Sequence, residues 1–332
     1  MLRLVTDLKA IRYNVRKIKK KSDKRIYAVV KANAYGHGAA MVAVHTEDLV
    51  DGFAVATVNE GIALRNAGVT KPIIVLSFDV NNTGGALEYD LTPCVYTKAH
   101  IDSLSICGVR HAHLAIDSGM HREGVRPEYA QDILKYAKYR GVSIDAVYTH
   151  YACADSIDKQ NKEFDAVNFD GLRHTSATSA YISGLDNYDC LRIGLAMYGY
   201  PSEHGLIHAL KVTSNVLNVL DVKRGESIGY DLAYTPERDA KIAIVGGGYA
   251  DGIKRSYSGA EVLINGERVS IVGRVCMDSF SVDVKDVDVK VGDEVVIIGD
   301  GLTAETFAKK ANTIPYEVLC GFDTKRARRY YV

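Results

Sequence analysis

The sequence predicts an α/β protein: an N-terminal (β/α)8 TIM-type barrel over residues 1–205, followed by a mainly β C-terminal domain over 206–332. Three observations carry this. Eight short apolar runs recur in the first two hundred residues, near 26–31, 52–57, 72–77, 92–96, 112–117, 144–150, 172–178 and 190–197. Helix-like stretches lie between most of them, and such alternation builds a parallel sheet; open doubly wound sheets rarely reach eight units. After Tyr200-Pro201 the texture changes to β-rich runs separated by turns. A chain of 332 residues is long enough for both parts to bury a core.

The elements follow in order. Leu8, Ile11, Val15 and Ile18 recur at helical spacing among lysines and arginines, which predicts an amphipathic helix with Thr6 or Asp7 as its cap. Val58–Gly68, Lys98–Ile106 and Pro127–Arg140 read as helices of the alternation. The seventh run, 172–178, is largely polar for a barrel strand. In the second half, Val212–Val222, Lys241–Val245, Ala260–Ile264, Val269–Val275, Phe280–Val284 and Val295–Ile298 read as strands, and Asn265-Gly266 is a hairpin signal. One helix, near Thr303–Lys310, interrupts them.

Composition narrows the function. The 41 basic and 41 acidic residues cancel, which gives no argument for nucleic acid or an anionic membrane. No apolar run approaches the ~20 residues of a membrane helix. Met1–Asp7 lacks the apolar core of a signal peptide, so a cytoplasmic protein is expected. The six cysteines are scattered without a Cys-x-x-Cys pair. They read as reduced thiols, neither zinc ligands nor a disulfide framework.

The chemistry centres on Ala28-Val29-Val30-Lys31-Ala32-Asn33-Ala34-Tyr35-Gly36-His37-Gly38. A lysine at the end of a buried strand is costly to desolvate as an ammonium, and the neutral amine attacks carbonyls. Lys31 is therefore a Schiff-base candidate, and pyridoxal phosphate is the commonest aldehyde partner; a lysine that merely ends a strand and snorkels to water is the plain alternative. Other polar residues fall at the C-terminal ends of strands, where barrels carry their working groups. They are Asp117–Arg122, Thr149-His150-Tyr151, Thr178-Ser179 and Arg192-Ile193-Gly194. A lysine, an imidazole, two arginines and hydroxyls on one face suit an anionic aromatic cofactor, although His150 could equally be a satisfied core histidine.

Together with Tyr148–Asp155, Gly248–Gly252, Val272–Asp278 and Tyr316-Glu317-Val318, that stretch makes the chain resemble the alanine racemases, fold-type III pyridoxal-phosphate enzymes, nearly end to end. The resemblance implies a role for each residue. Lys31 would carry the cofactor and act as base on one face of the substrate carbon. Tyr230 would be the opposing base, offered from the partner subunit of a homodimer. Arg192 would bond the pyridine nitrogen, braced by His150 beside the ring. Tyr35, Ser179, Gly194, Leu195 and Tyr316 would surround the phosphate. Arg122 would face the cofactor's phenolic oxygen and the substrate carboxylate. Met277 would hold that carboxylate through its backbone with Asp278 nearby, and Tyr249, Arg255 and Arg274 would line the access funnel.

These roles are mutually consistent. Racemisation needs proton removal on one face and return on the other, so two bases must flank one carbon. An arginine does not give up its proton, so the ring nitrogen it contacts stays neutral; a poorer electron sink discourages side reactions. The implied function is interconversion of L- and D-alanine for cell-wall synthesis. A serine or broad-specificity racemase and a non-catalytic pyridoxal-phosphate-binding protein are the alternatives.

The chain also departs from the family. A lysine, carbamylated in many members to orient the arginine, falls here on Ala115. Arg122 is then expected to use another anion, such as chloride or Glu123, or none. The usual asparagine before the phosphate serine is Thr178, and the proline after the pyridine-contacting arginine is Ile193. The segment from Gln160 to Ser179 and the loop at Asp48–Asp51 look shortened.

Overall fold

The protein is described from a computed structural model, which covers residues 2–176, 178, 184 and 188–332. It forms two compact units. One comprises Ala10–Ala34 and Ala39–Ile207, the other Met1–Lys9, Tyr35–Gly38 and His208–Val332. The unit built on the C-terminal sheet thus takes in two short N-terminal pieces that a single cut at 205/206 assigns to the barrel.

The chain opens with strand β1 (Arg3–Thr6) and a helix over Leu8–Lys21. The helix buries Leu8, Ile11, Val15 and Ile18, as their spacing predicts. Asn14 is buried on the same face. Its amide donates to the carbonyls of Met197 and Ile207 at 2.9 and 2.7 Å and accepts from the Ile207 N–H at 2.8 Å.

The first unit is the closed parallel barrel. Its strands are β2 (Arg25–Val29), β3 (Gly52–Val55), β4 (Ile73–Val75), β5 (Thr92–Val95), β6 (His111–Ala115), β7 (Ser143–Tyr148), β8 (Leu172–Ser176) and β9 (Cys190–Ile193). Parallel strands covered on both faces read as continuous apolar runs, which is why these eight could be found in the sequence. The eighth run extends less far than expected. Gly194, at φ −117° and ψ −94°, breaks the strand, and Leu195–Tyr198 forms a 3₁₀ turn. Buried polar residues on the described parts of these strands include His113, His174, Thr175 and Arg192. The helix between β7 and β8 spans only Ile157–Asp165.

The second unit is an eight-stranded sheet. The strands not yet named are β10 (Leu210–Val222), β11 (Ala240–Gly246), β12 (Glu261–Ile264), β13 (Glu267–Val272), β14 (Ser279–Asp283), β15 (Glu294–Ile298) and β16 (Arg328–Tyr331). Their order is β11-β14-β13-β12-β15-β10-β1-β16, with β10 also pairing β11. β12 and β13 form the hairpin that Asn265-Gly266 announces. β1 pairs antiparallel with β10 and parallel with β16, so residues of the extreme N-terminus complete this sheet. Helices over Ala304–Lys310 and Pro315–Gly321 accompany it. Among the described residues no helix is long and apolar enough to cross a membrane.

Candidate active site

Lys31 stands two residues beyond β2, at the C-terminal rim of the barrel. Burial pulls its amine below the ordinary lysine value; the guanidinium groups of Arg122 and Arg192 lower it further, against weaker opposition from Glu123 and Glu60. This is the electrostatics of an amine kept ready as a nucleophile or base.

The backbone after Lys31 is strained. Ala32, Asn33 and Ala34 lie in the left-handed region (φ 50°, 50° and 56°), followed by Tyr35 at φ 52°. L-residues pay roughly 1–2 kcal/mol each for a left-handed helical turn, so something must hold it. The Ala34 N–H donates to Val30 at 2.7 Å, the Asn33 side chain accepts from the Ala39 N–H at 2.7 Å, and Glu60 accepts from the Ala32 N–H at 2.8 Å. The same Glu60 carboxylate closes the capping box of the helix Val58–Asn66 with Thr57.

Arg192 lies on β9 and is 3% exposed. One guanidinium nitrogen bonds His174 Nδ1 at 2.6 Å and the other donates to the Thr149 carbonyl at 2.8 Å. The ring of Tyr148 lies beneath the guanidinium carbon at 4.8 Å. An imidazole that braces Arg192 is that of His174: β8 pairs directly with β9 and sets His174 opposite Cys190, two residues along the strand from Arg192 and on the same face. His150 is held neutral: burial, then Arg192, Arg122 and Lys31, push its pKa down to about 3. Its loop is fixed by Gln160, which donates to the His150 carbonyl at 3.0 Å and to Ser118 at 3.2 Å and accepts from the Ala152 N–H at 2.8 Å.

Arg122 follows a turn organised by Asp117, whose carboxylate accepts from the N–H groups of Gly119 and His121 and bonds the His121 ring. Burial raises the Asp117 carboxyl, but these bonds outweigh it and hold the group below the usual range. Beside Arg122 lies a cavity of about 330 Å³ whose lining includes Tyr96, Asp117 and Glu123. Ala115 is buried at the end of β6. Gly194 and Leu195 form the turn after β9, where Gly194 offers no side-chain cap. Thr178 Oγ1 lies 3.4 Å from the Ala196 N–H, beside that turn. Ser179 is outside the described residues.

The β unit carries the remaining candidates. Tyr35 and Tyr316 meet ring to ring, centroids 5.7 Å apart. Tyr316 starts the helix Pro315–Gly321, and Gly36, at φ +80°, passes so close that a Cβ there would lie 2.6 Å from the Leu319 carbonyl oxygen. Met277 and Asp278 sit on a turn zipped to residues 247–251. The N–H groups of Gly247, Tyr249 and Ala250 donate to the carbonyls of Asp278, Cys276 and Met277. Arg326 ties this pair of turns by bridging Asp278 at 2.7 Å and buried Asp251 at 3.2 Å. Tyr230 stands 68% exposed on a loop closed by the Ile228–Tyr234 bridge, with Leu232 exposed beside it. Of the funnel candidates, Arg274 pairs with Asp231 at 2.7 Å, and Tyr249 is exposed.

Comparison with known proteins settles the family. The model described as alanine racemase, N-terminal domain, matches residues 6–202, and that of the C-terminal domain matches 209–331. The chain belongs to the alanine racemase family. Alanine racemase 2 of Caldanaerobacter subterraneus subsp. tengcongensis is 36% identical, over 99% of this chain and 94% of that one. The alanine racemase of Clostridium difficile 630 superposes with a TM-score of 0.93 at 34% identity, covering 100% of this chain and 95% of that one. The Bacillus anthracis alanine racemase, solved with bound L-Ala-P, gives 0.91 at 33% identity, covering 100% and 95%. As a member of this family the chain is an amino-acid racemase that uses pyridoxal phosphate.

The residues present fit that cofactor. Lys31 is an amine with a depressed pKa, and the cations Arg122 and Arg192 act on it. The hydrogen-bond partners of buried Arg192 are neutral acceptors, an imidazole nitrogen and a carbonyl. A part-buried cluster of positive charge with so little to balance it calls for an anionic ligand.

Proposed function

We propose that this alanine racemase family member interconverts L- and D-alanine by a two-base mechanism, with Lys31 and Tyr230 as the bases, supplying D-alanine for peptidoglycan from the cytoplasm. The observation that carries the reading is the amine of Lys31, part-buried just beyond the end of β2 and lowered in pKa by burial and by the charges of Arg122 and Arg192. Pyridoxal phosphate, when bound, supplies the electron sink that makes the α-hydrogen of an amino acid acidic.

The chain's own residues do the rest. Lys31 Nζ holds the cofactor and accepts or returns the proton on one face; Tyr230 Oη does so on the other. Arg192 contacts the ring nitrogen without surrendering a proton, and its bonds to His174 and Thr149 keep it from swinging away. Tyr35, Tyr316, Ser179 and the Gly194-Leu195 turn take the phosphate, while His150 flanks the ring as a neutral imidazole. Arg122, Met277 and Asp278 take the substrate carboxylate. The exposure of Tyr230 in a single chain supports its use by a second copy, hence a homodimer in which each site borrows a base.

Complementation tests this. Tyr230→Phe should lower proton removal from one enantiomer by about 10²–10⁴-fold while sparing solvent-deuterium exchange into the other. Lys31→Ala should be inactive. Unfolding and refolding the two variants together should restore up to about a quarter of the sites, since a mixed dimer has one site with both bases. Recovery of nothing, or a fully active Tyr230→Phe, contradicts the reading.

A further inference from the structure

We propose that His113 is a positioning residue for Arg192: through His174 it fixes the proton pattern that holds the guanidinium at the cofactor ring. The inference rests on the reading of Arg192 as the ring-nitrogen contact. A guanidinium has only donors. Because an Arg192 nitrogen lies 2.6 Å from His174 Nδ1, that ring nitrogen must be bare, and His174 carries its proton on Nε2. His174 Nε2 lies 2.9 Å from His113 Nδ1, so His113 Nδ1 must in turn be the acceptor. One tautomer at each ring satisfies both bonds.

The surroundings lock this arrangement. His174 is stacked between Tyr148, at 4.9 Å and 11°, and Tyr27, at 6.2 Å and 20°, while His113 meets it edge-on at 4.9 Å. The chain of bonds runs from β6 to β8 to β9, and β7 between them contributes Tyr148; the next residue, Thr149, supplies the second anchor of Arg192. Burial keeps both imidazoles neutral, His113 with its pKa lowered to about 4 and His174 with its own well below the ordinary histidine value. Without an acceptor at position 113, the Nε2–H of His174 is stranded. Moving the proton to Nδ1 would then set a donor against the donors of Arg192.

The test uses the apoprotein and the loaded enzyme. Nitrogen-15 spectra of histidine-labelled apoprotein should show His174 protonated on Nε2 and His113 bare on Nδ1. His113→Leu should weaken the binding of pyridoxal phosphate to apoprotein about tenfold and shift the His174 signals. His113→Asn, which returns an acceptor oxygen near the position of Nδ1, should recover most of that affinity. An Nδ1-protonated His174 in the parent overturns the proposal whether or not His113→Leu folds; so does a folded His113→Leu with parental affinity and parental His174 signals. Arg192→Gln separates the two claims: if it leaves cofactor affinity unchanged while the predicted tautomers are present, the reading of Arg192 fails and not the strut.

Discussion

At the scale of residues, the candidate site turns on polar groups placed in a barrel core. Lys31, Arg122, Arg192, Tyr35, Tyr230, Tyr316, Met277 and Asp278 could be named from motifs, because each sits at a strand end or in a short signature. His113, His174 and Gln160 could not. The polar character of 172–178 looked like a poor strand, whereas its histidine is an internal strut. The available signal was a histidine in the interior of each of two runs that must be buried on both faces. These imidazoles have a consequence for stability. His150 and His113 titrate in the folded chain near 3 and 4, against an ordinary value of 6.5. Between those values the unfolded chain binds protons that the folded chain refuses. Stability is therefore whole above about pH 6.5 and falls as the pH drops toward 4, by up to about 1.4 kcal/mol per pH unit for each such histidine. Urea unfolding of the apoprotein across pH 4–8 should show this slope, and His150→Gln should flatten it. Equal slopes in parent and variant would show that His150 is not held neutral.

At the scale of elements, eight barrel strands and most of the C-terminal sheet were legible because each carries its own hydrophobic pattern. β1 was not. Its four residues pair with β10 and β16, more than two hundred residues away, and nothing local marks them as a strand. The helix Pro315–Gly321 and β16 are similarly short. The left-handed turn after Lys31 was equally hidden, since Ala32-Asn33-Ala34-Tyr35 lacks the glycines that usually announce positive φ. Its stability comes from outside the turn, in particular from Glu60, which bonds the Ala32 N–H and the N–H groups of Ala56 and Thr57. Glu60→Ala removes that anchor and a helix cap together. It should cost about 2–3 kcal/mol in urea unfolding and weaken cofactor retention by Lys31. A variant that loses the cap's stability but binds cofactor as the parent does would show that the turn needs no such anchor.

At the scale of the whole molecule, family membership rests on both halves of the chain, each matching its own alanine racemase domain. Substrate range is where this sequence departs from the pattern its resemblance implies: Ala115 stands where that pattern would put a lysine, and the turn before Arg122 reads Asp117-Ser118. On the proposed reading Tyr316 would crowd the space beside the substrate and favour a small side chain, whereas Ala115 would leave Arg122 less tightly set and argue the other way. The direct measurement is chiral analysis of the products formed by purified, cofactor-loaded protein from L-alanine and from L-serine in separate reactions. D-alanine should form much faster than D-serine. Comparable or faster D-serine, or no D-alanine from protein with the cofactor attached at Lys31, would contradict it.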